Sequence, residues 1–410
     1  MDIPGLPARK GALKLLDAVL NRGETLDQAA HNALQGVHGN ADRALARALA
    51  GEALRWLTDL DALIDSATRQ VLPDDAKVRS VLRLMLAGWL RLETPPHAVI
   101  ATGLPLLTGG PRRLAHGVFG ALTKRGDALP AVPTLPAPVI ARWVDRAEAI
   151  AMGLGALPPL DLSLLNAAET AAWAERLGGT SLMPGHVRLG RGTAVENLEG
   201  FDEGAWWVQD LTASLPARLL GEGQGRTVLD LCAAPGGKTL QLAAAGWQVT
   251  ALDASAKRLE RVEQNLARTR LSAEVLVADA LQWEPAEPFD AVLLDAPCTA
   301  TGTCRRHPDV LHRIGARQIA EQAELQAALL NRAVQWVKPG GTLIYAVCSL
   351  EPEEGEMQAA AVTLTPDPIR ADEAANGIAP SSDGFVRTDP GMLADQGGLD
   401  GFFIARWRKD

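Results

Sequence analysis

The chain has 410 residues, 47% apolar and 22% charged, enough to bury ordinary cores and too many for one domain of typical size, so two or three domains are expected. The apolar content excludes disorder, and four cysteines (Cys232, Cys298, Cys304 and Cys348) with no CxxC pair exclude a disulfide scaffold and point to reduced thiols in a cytosol. A net charge of −9 argues against a nucleic-acid partner only on average: residues 1–135 carry 16 Lys/Arg against 13 Asp/Glu, residues 136–410 carry 24 against 36, and phosphate contacts depend on local clusters.

The opening MDIPGLPARKGALKLL lacks the apolar run and small-residue cleavage site of a secretory leader. The longest uncharged stretches, residues 94–111 and 149–160, are broken by prolines or too short to span a bilayer, so no membrane partner is expected. From Leu13 to about Leu122 the pattern is helical. Val78, Val81, Leu82, Met85, Leu86, Trp89 and Leu90 form one stripe at helical spacing, and Leu45, Leu49, Ala53, Trp56 and Leu60 form another. Proline and glycine clusters at Pro73, Pro95-Pro96 and Gly109-Gly110-Pro111 separate the helices, which predicts an all-α bundle over 1–128. Arg79 and Arg83, one turn apart, are either phosphate contacts or a solvated edge. Four prolines within residues 129–138 read as a semi-rigid linker.

Residues 139–205 mix two helices with short extended pieces, HVRLG and WWVQD, and suggest a small α/β subdomain. The rhythm of the last part, 206–410, is strand, turn, helix: TVLDL and a glycine turn, QVTALD, AKRLERVEQNLAR, EVLVAD, FDAVLLD, a helix from about Ile314 to Val337, GTLIYAV and FFIARW. Apolar strands alternating with helices predict a parallel, doubly wound sheet.

The first strand of that series runs into CAAPGGKT. Glycines at a strand-to-helix turn let the backbone approach a ligand closely, and the next helix offers free N–H groups to something anionic or nucleoside-like. The loop is not a phosphate-binding GxxxxGK[ST], because the position needing the first glycine is Cys232, and it is not a dinucleotide GxGxxG. Otherwise it is merely a helix start. Asp253 ends the second strand, 23 residues after Asp230, where a carboxylate can bond both ribose hydroxyls of an adenosine. Asp279 ends the third, where it can accept from an adenine amine; either acid alone would more often cap a helix.

Cys298 in LLDAPC and Cys348 in LIYAVCS follow two further strands and should face the same crevice, where nearby positive charge could make a thiolate nucleophile. The bland alternative is that such cysteines only pack, and Cys232 and Cys304 are assigned to it. Cys298, Cys304, His307 and His312 have spacing poorly suited to structural zinc, so no metal is expected, and Arg305-Arg306 suits phosphate contact better.

Taken together, VLDLCAAPGGKT, ALDASAKRLERVEQNLAR, VADA, LLDAPCTATGTCRRHPDV, GGTLIYAVCSLEPEE and DGFFIARW resemble the successive motifs of RNA cytosine-C5 methyltransferases that use S-adenosylmethionine (SAM). The stretches ARALAGEALRWLTDLDALI and PPHAVIATGLPLL resemble the NusB-like helical domain of the branch acting on bacterial small-subunit (16S) ribosomal RNA. The resemblance implies a multidomain chain: a NusB-like, RNA-binding bundle, a small α/β RNA-facing insert and a Rossmann-like class I methyltransferase domain. It implies that Cys232, Ala233, Ala234, Pro235, Gly236, Gly237 and Lys238 form the SAM loop, with Asp253 on the ribose, Asp279 on the adenine and Asp295 also at the cofactor. Cys348 would add to C6 of cytosine, Cys298 would assist elimination, and Asp295 would hydrogen-bond the base, donating near N3 if protonated. The target would be an unpaired or flipped cytidine, met by a cytosolic monomer.

The chain departs from the family pattern at Val347, where threonine is usual, at Thr299, where serine is usual, and at Leu164-Leu165, where an arginine is usual. Arg188, Arg191, Arg305, Arg306 and the helical domain would then carry the phosphate contacts. Two rival readings are a transfer-RNA or other ribosomal target, and an RNA-binding assembly or antitermination module whose methyltransferase half is vestigial.

Overall fold

A computed structural model describes residues 3–190 and 194–410, so Arg191 lies outside the described residues. The chain divides into two compact units, Met1–Ala156 with Cys304–Ile314, and Leu157–Thr303 with Gly315–Asp410.

The first unit is helical: α1 (Leu6–Arg22), α2 (Leu26–Ala33), α3 (Asn40–Arg55), α4 (Leu57–Ser66), α5 (Lys77–Leu90), α6 (Pro96–Gly103), α7 (Gly109–Arg125), α8 (Ala137–Trp143), α9 (Ala147–Leu154) and the returning α14 (Val310–Arg313). Local signals set the ends. Gly23, at φ +69°, closes α1 with its N–H on the Ala18 and Val19 carbonyls, and Thr25 and Gln28 form a reciprocal capping box on α2. The α5 stripe is buried from Val78 to Leu86, whereas Trp89 and Leu90 are only half-buried.

That helix is buried on its polar side as well. Arg79 and Arg83 are 2% and 3% exposed, and their guanidinium groups donate to Asp61 and Asp65, so neither is a phosphate contact or a solvated edge. The proline-rich stretch and the helix after it also belong to this unit rather than to a linker and an α/β subdomain. Val139, Trp143, Ile150 and Leu154 are buried, and the Thr134 N–H and hydroxyl both donate to Asp59.

The second unit holds two sheets among the described residues. The smaller is antiparallel, in the order β2 (His186–Leu189), β1 (Leu160–Leu164), β3 (Trp206–Val208), and α10 (Thr170–Arg176) contributes Trp173 to a core with Leu162, Val187 and Trp206.

The larger sheet carries the site. Its parallel part is ordered β8 (Val337–Val347), β7 (Phe289–Asp295), β4 (Thr227–Leu231), β5 (Gln248–Asp253), β6 (Glu274–Val277). The chain reverses direction between β4–β5–β6 and β7–β8, so a topological switch point lies where β4 meets β7. Helices α11 (Leu211–Arg218), α12 (Gly237–Ala244), α13 (Ala256–Thr269), α15 (Ala316–Trp336) and α16 (Glu356–Ala360) complete the unit. The expectation of a wholly parallel sheet is corrected at one edge. There β11 (Phe402–Arg408) runs antiparallel to β8, with β9 (Thr365–Pro366) and β10 (Val386–Thr388) antiparallel to β11. A hairpin-like return needs no crossover helix, and the stretch between α16 and β11 supplies none.

Candidate active site

The carboxyl ends of β4, β5, β7 and β8 form the site. After β4 the chain turns through Cys232, at φ +62°, and Gly236, at φ +102°, before α12 begins at Gly237. The Ala233 N–H donates to the Leu252 carbonyl on β5 (3.1 Å) and the Ala234 N–H to Asp253 Oδ2 (3.3 Å), while Arg258 donates to the Ala234 carbonyl (2.7 Å). A side chain at Gly236 would meet Val262 at 3.2 Å, and one at Gly237 would meet the Gln209 carboxamide at 3.2 Å, so the loop has room for backbone only. Burial pushes the Cys232 thiol up to about 12 and keeps it neutral at physiological pH, consistent with a packing role.

Beside the loop lies a cavity of about 520 Å3, walled by Ala233, Pro235, Gly237, Lys238 and Asp295 on one side and by Trp207 and Gln209 on another. Its size is that of small-molecule sites, about 300–1,000 Å3. The nearly buried Asp253 carboxylate also accepts the Ser255 N–H at 2.9 Å, and the exposed Asp279 accepts the Leu281 N–H at 2.9 Å. Both acids thus order the turns that follow their strands, and neither lines the cavity itself. A narrow glycine turn, an open helix N-terminus and carboxylates at successive strand ends fit a nucleoside bearing a charged tail, as SAM is.

The two cysteines converge. Cys298 Sγ and Cys348 Sγ, fifty residues apart in sequence, stand 3.4 Å apart, both only partly buried. The register explains it: β7 and β8 are parallel neighbours with Asp295 paired to Ala346, and the turns beyond them are laced by the Gly302 N–H on the Cys348 carbonyl (3.0 Å). The hydrogen bond to Cys348 and then burial hold the Cys298 thiol well above its ordinary value, so Cys298 keeps its proton and can donate it toward the Cys348 sulfur.

Lys238, which the sequence places only in the cofactor loop, donates from Nζ to Asp295 Oδ2 at 2.6 Å. Burial works against its charge, but Asp295 outweighs it and the Cys348 sulfur adds to the effect, leaving the ammonium group held above its ordinary range. A buried cation thus interacts with the Cys348 sulfur. Asp295 is an acceptor in this pair, which suits a bond from a cytosine amino group better than a donated bond near N3. Beneath them, burial pushes the Asp230 carboxyl up to about 7, though the Thr239 hydroxyl donates to it.

Sequence reasoning missed Glu354. Its fully buried carboxylate accepts from the Thr299 N–H (2.8 Å), the Gln326 amide (3.1 Å) and the Thr299 and Ser349 hydroxyls, bridging the turns that carry Cys298 and Cys348. A run of three acids in LEPEE reads as solvated surface, and no periodicity marks the one that points inward.

The expected phosphate contacts are corrected. Arg188 is 5% exposed and forms a two-pronged pair with Asp161 (2.7 Å on each oxygen) while donating to the Gln396 and Gly398 carbonyls. Arg305 is 1% exposed, and only Arg306 of that dipeptide reaches half-burial. No group of metal-binding side chains forms among the described residues, and His312 instead bonds the Leu54 carbonyl at 2.7 Å. No helix among them is long and apolar enough to cross a membrane.

A doubly wound sheet with a nucleoside-sized crevice at its switch point, and two converging thiols on the turns beyond β7 and β8, is the architecture of a class I SAM-dependent methyltransferase; neither sulfur lines the crevice itself, whose nearest shared residue is Asp295 at the end of β7. Residues 217–408 match the 16S rRNA methyltransferase RsmB/F family and residues 6–106 the NusB family. The chain is 36% identical over 434 residues to the ribosomal RNA small subunit methyltransferase B of Klebsiella pneumoniae subsp. pneumoniae, covering 97% of both. It is 36% identical over 379 residues to that of Xanthomonas campestris pv. campestris, covering 86% of this chain and 87% of the other. A crystal structure of a methyltransferase homolog from Pyrococcus horikoshii, 26% identical, covers 67% of this chain and 93% of its own with a TM-score of 0.56. The chain belongs to the RsmB/F family and is a SAM-dependent RNA methyltransferase.

Proposed function

We propose that this chain methylates C5 of a cytidine in small-subunit ribosomal RNA through a transient bond from Cys348 to C6 of the base. The observation that carries the reading is the 3.4 Å approach of the two sulfurs beside the Lys238–Asp295 pair. The small-subunit target is supported by the names of relatives matched along 97% and 87% of their lengths.

Cytosine C5 is a poor nucleophile until a thiolate adds at C6. The Cys298 S–H stands 3.4 Å from the Cys348 sulfur that attacks, and the Lys238 ammonium interacts with that same sulfur. The Cys348 sulfur pair forms the bond to C6, the C5=C6 pair shifts toward C5, and Asp295 holds the base through its amino group. SAM would be held by the turn from Cys232 to Lys238, with Asp253 and Asp279 at the neighbouring strand ends, and would supply the methyl group as a sulfonium. Once Cys348 is a thioether it no longer accepts from the Cys298 S–H, so Cys298, which is only partly buried, gives its proton to solvent water only after the adduct exists. As a thiolate it takes the C5 proton, the C–H pair re-forms C5=C6, and the C6–S pair returns to Cys348. Cys298 thus has its proton during addition and its base form during elimination.

Both sulfurs and the cofactor turn come from one chain, so a monomer in the cytosol suffices for the reaction. With Arg188 and Arg305 buried, phosphate contacts fall to exposed cations, among them Lys10, Lys14 and Lys77 around a cavity of about 530 Å3 in the helical unit.

The test is bisulfite mapping of ribosomal RNA from cells lacking the gene. One small-subunit cytidine should lose protection and regain it with wild-type protein but not with Cys348→Ala. Protection unchanged throughout the small-subunit RNA contradicts the proposed target.

A further inference from the structure

The Glu354 carboxylate has no part in the chemistry above, yet it is fully buried and every hydrogen bond it accepts comes from the two cysteine-bearing turns or from the helix behind them. Oε1 takes the Thr299 N–H at 2.8 Å and the Gln326 amide at 3.1 Å; Oε2 takes the Thr299 and Ser349 hydroxyls. Thr299 directly follows Cys298, and Ser349 directly follows Cys348. Gln326, on α15, also donates to the Pro297 carbonyl at 2.8 Å, and the Glu354 carbonyl accepts the Tyr345 hydroxyl at 2.6 Å from β8. Burying a carboxylate is costly unless its lone pairs are filled, and here four donors fill them, so the group resists displacement.

We propose that Glu354 is a positioning residue that clips the Cys298 turn to the Cys348 turn, fixing the sulfur-to-sulfur distance on which breakdown of the covalent adduct depends. The inference rests on the two-cysteine reading above. Cys348 sits at the end of β8, whose ladder to β7 holds it in place. Cys298 lies three residues beyond β7, in a turn that reverses through Ala300 at φ +57°, and the Glu354 clip bonds the residue directly after it. Loosening the clip should therefore spare addition and slow elimination. The Glu354 charge is also among the groups that keep the Cys298 thiol protonated, so its loss would disturb the timing of that proton as well.

The experiment measures turnover and the fraction of enzyme trapped as a denaturant-resistant RNA adduct with SAM present, for wild type, Cys298→Ala, Glu354→Gln, Thr299→Val and Thr299→Ser. Glu354→Gln keeps the shape but loses the charge and an acceptor. It should lower turnover at least tenfold while the trapped fraction rises toward that of Cys298→Ala. Thr299→Val, which removes one donor and nearly keeps the side-chain volume, should move the same way by a smaller factor, and Thr299→Ser, which keeps both donors, should restore the wild-type partition. If turnover and adduct fall together in Glu354→Gln and Thr299→Val alike, the residue is merely structural and the proposal is overturned. Wild-type partition in both variants overturns it equally. A Cys298→Ala enzyme that traps no adduct instead removes the two-cysteine reading itself, so the two failures are distinguishable.

Discussion

Asp230 shows how a single buried acid couples the site to pH. Its carboxyl is pushed up to about 7 from an ordinary 3.8, chiefly by burial. The folded chain therefore binds this proton more tightly than the unfolded chain. The contribution to stability is fully present below the ordinary value and is lost as pH rises toward 7, at up to about 1.4 kcal/mol per pH unit. Asp230→Asn cannot ionise and keeps an acceptor for Thr239. Its denaturation midpoint in urea should gain on wild type between pH 5 and pH 8, and parallel curves would contradict the assignment. Arg188 belongs to the same scale. Desolvation opposes the Asp161 charge, but Arg188 and His186 outweigh it and hold that carboxyl well below its ordinary range. Arg188→Ala should cost about 3–5 kcal/mol in unfolding experiments, the effect of stranding a buried charge, and leave RNA affinity of the folded protein unchanged. The sequence places the thiols correctly, because a strand followed by a short turn delivers a cysteine to the carboxyl end of a sheet. It misplaces Arg188, because charge alone does not tell whether a carboxylate such as Asp161 waits in the interior, and Arg305, because charge does not reveal burial either.

At the scale of elements, periodicity predicts β4, β5, β7, β8 and α15, since each is a long apolar run or a helical stripe. The antiparallel edge is legible only in part: FFIARW announces β11, but nothing in the sequence gives its direction. Close backbone approach there is a further feature hidden from pattern. A side chain at Gly302 would meet the Gly401 carbonyl at 2.0 Å, while the Gly401 N–H donates to the Gly302 carbonyl at 2.8 Å. The turn after β7 thus lies flush against the turn leading into β11. Gly302→Ala should force them apart, lowering stability by about 1–3 kcal/mol and slowing methyl transfer by displacing the Cys298 turn. Thermal unfolding together with initial rates checks both halves; a variant as stable and active as wild type would refute the close contact.

At the scale of the molecule, the sequence reads as two kinds of architecture because helical spacing gives way to strand–helix alternation. It puts the change too early, since helices α8 and α9, with Trp143, Ile150 and Leu154 buried, fall within the helical unit. Lys10, Lys14 and Lys77 give that unit an exposed basic cavity. Reversing all three to glutamate should raise KM for RNA severalfold at unchanged kcat, and reduce the slope of log affinity against log salt by about 1 for each lysine that meets a phosphate. An unchanged slope would show that the bundle does not meet RNA. The chemistry turns on which sulfur bonds the base. The direct measurement is mass spectrometry of the RNA-linked peptide recovered from Cys298→Ala enzyme incubated with small-subunit RNA and SAM. The account predicts a methylated cytidine attached to Cys348 and no linked peptide when Cys348 is also replaced; attachment at any other residue, or an adduct that survives the double replacement, would contradict it.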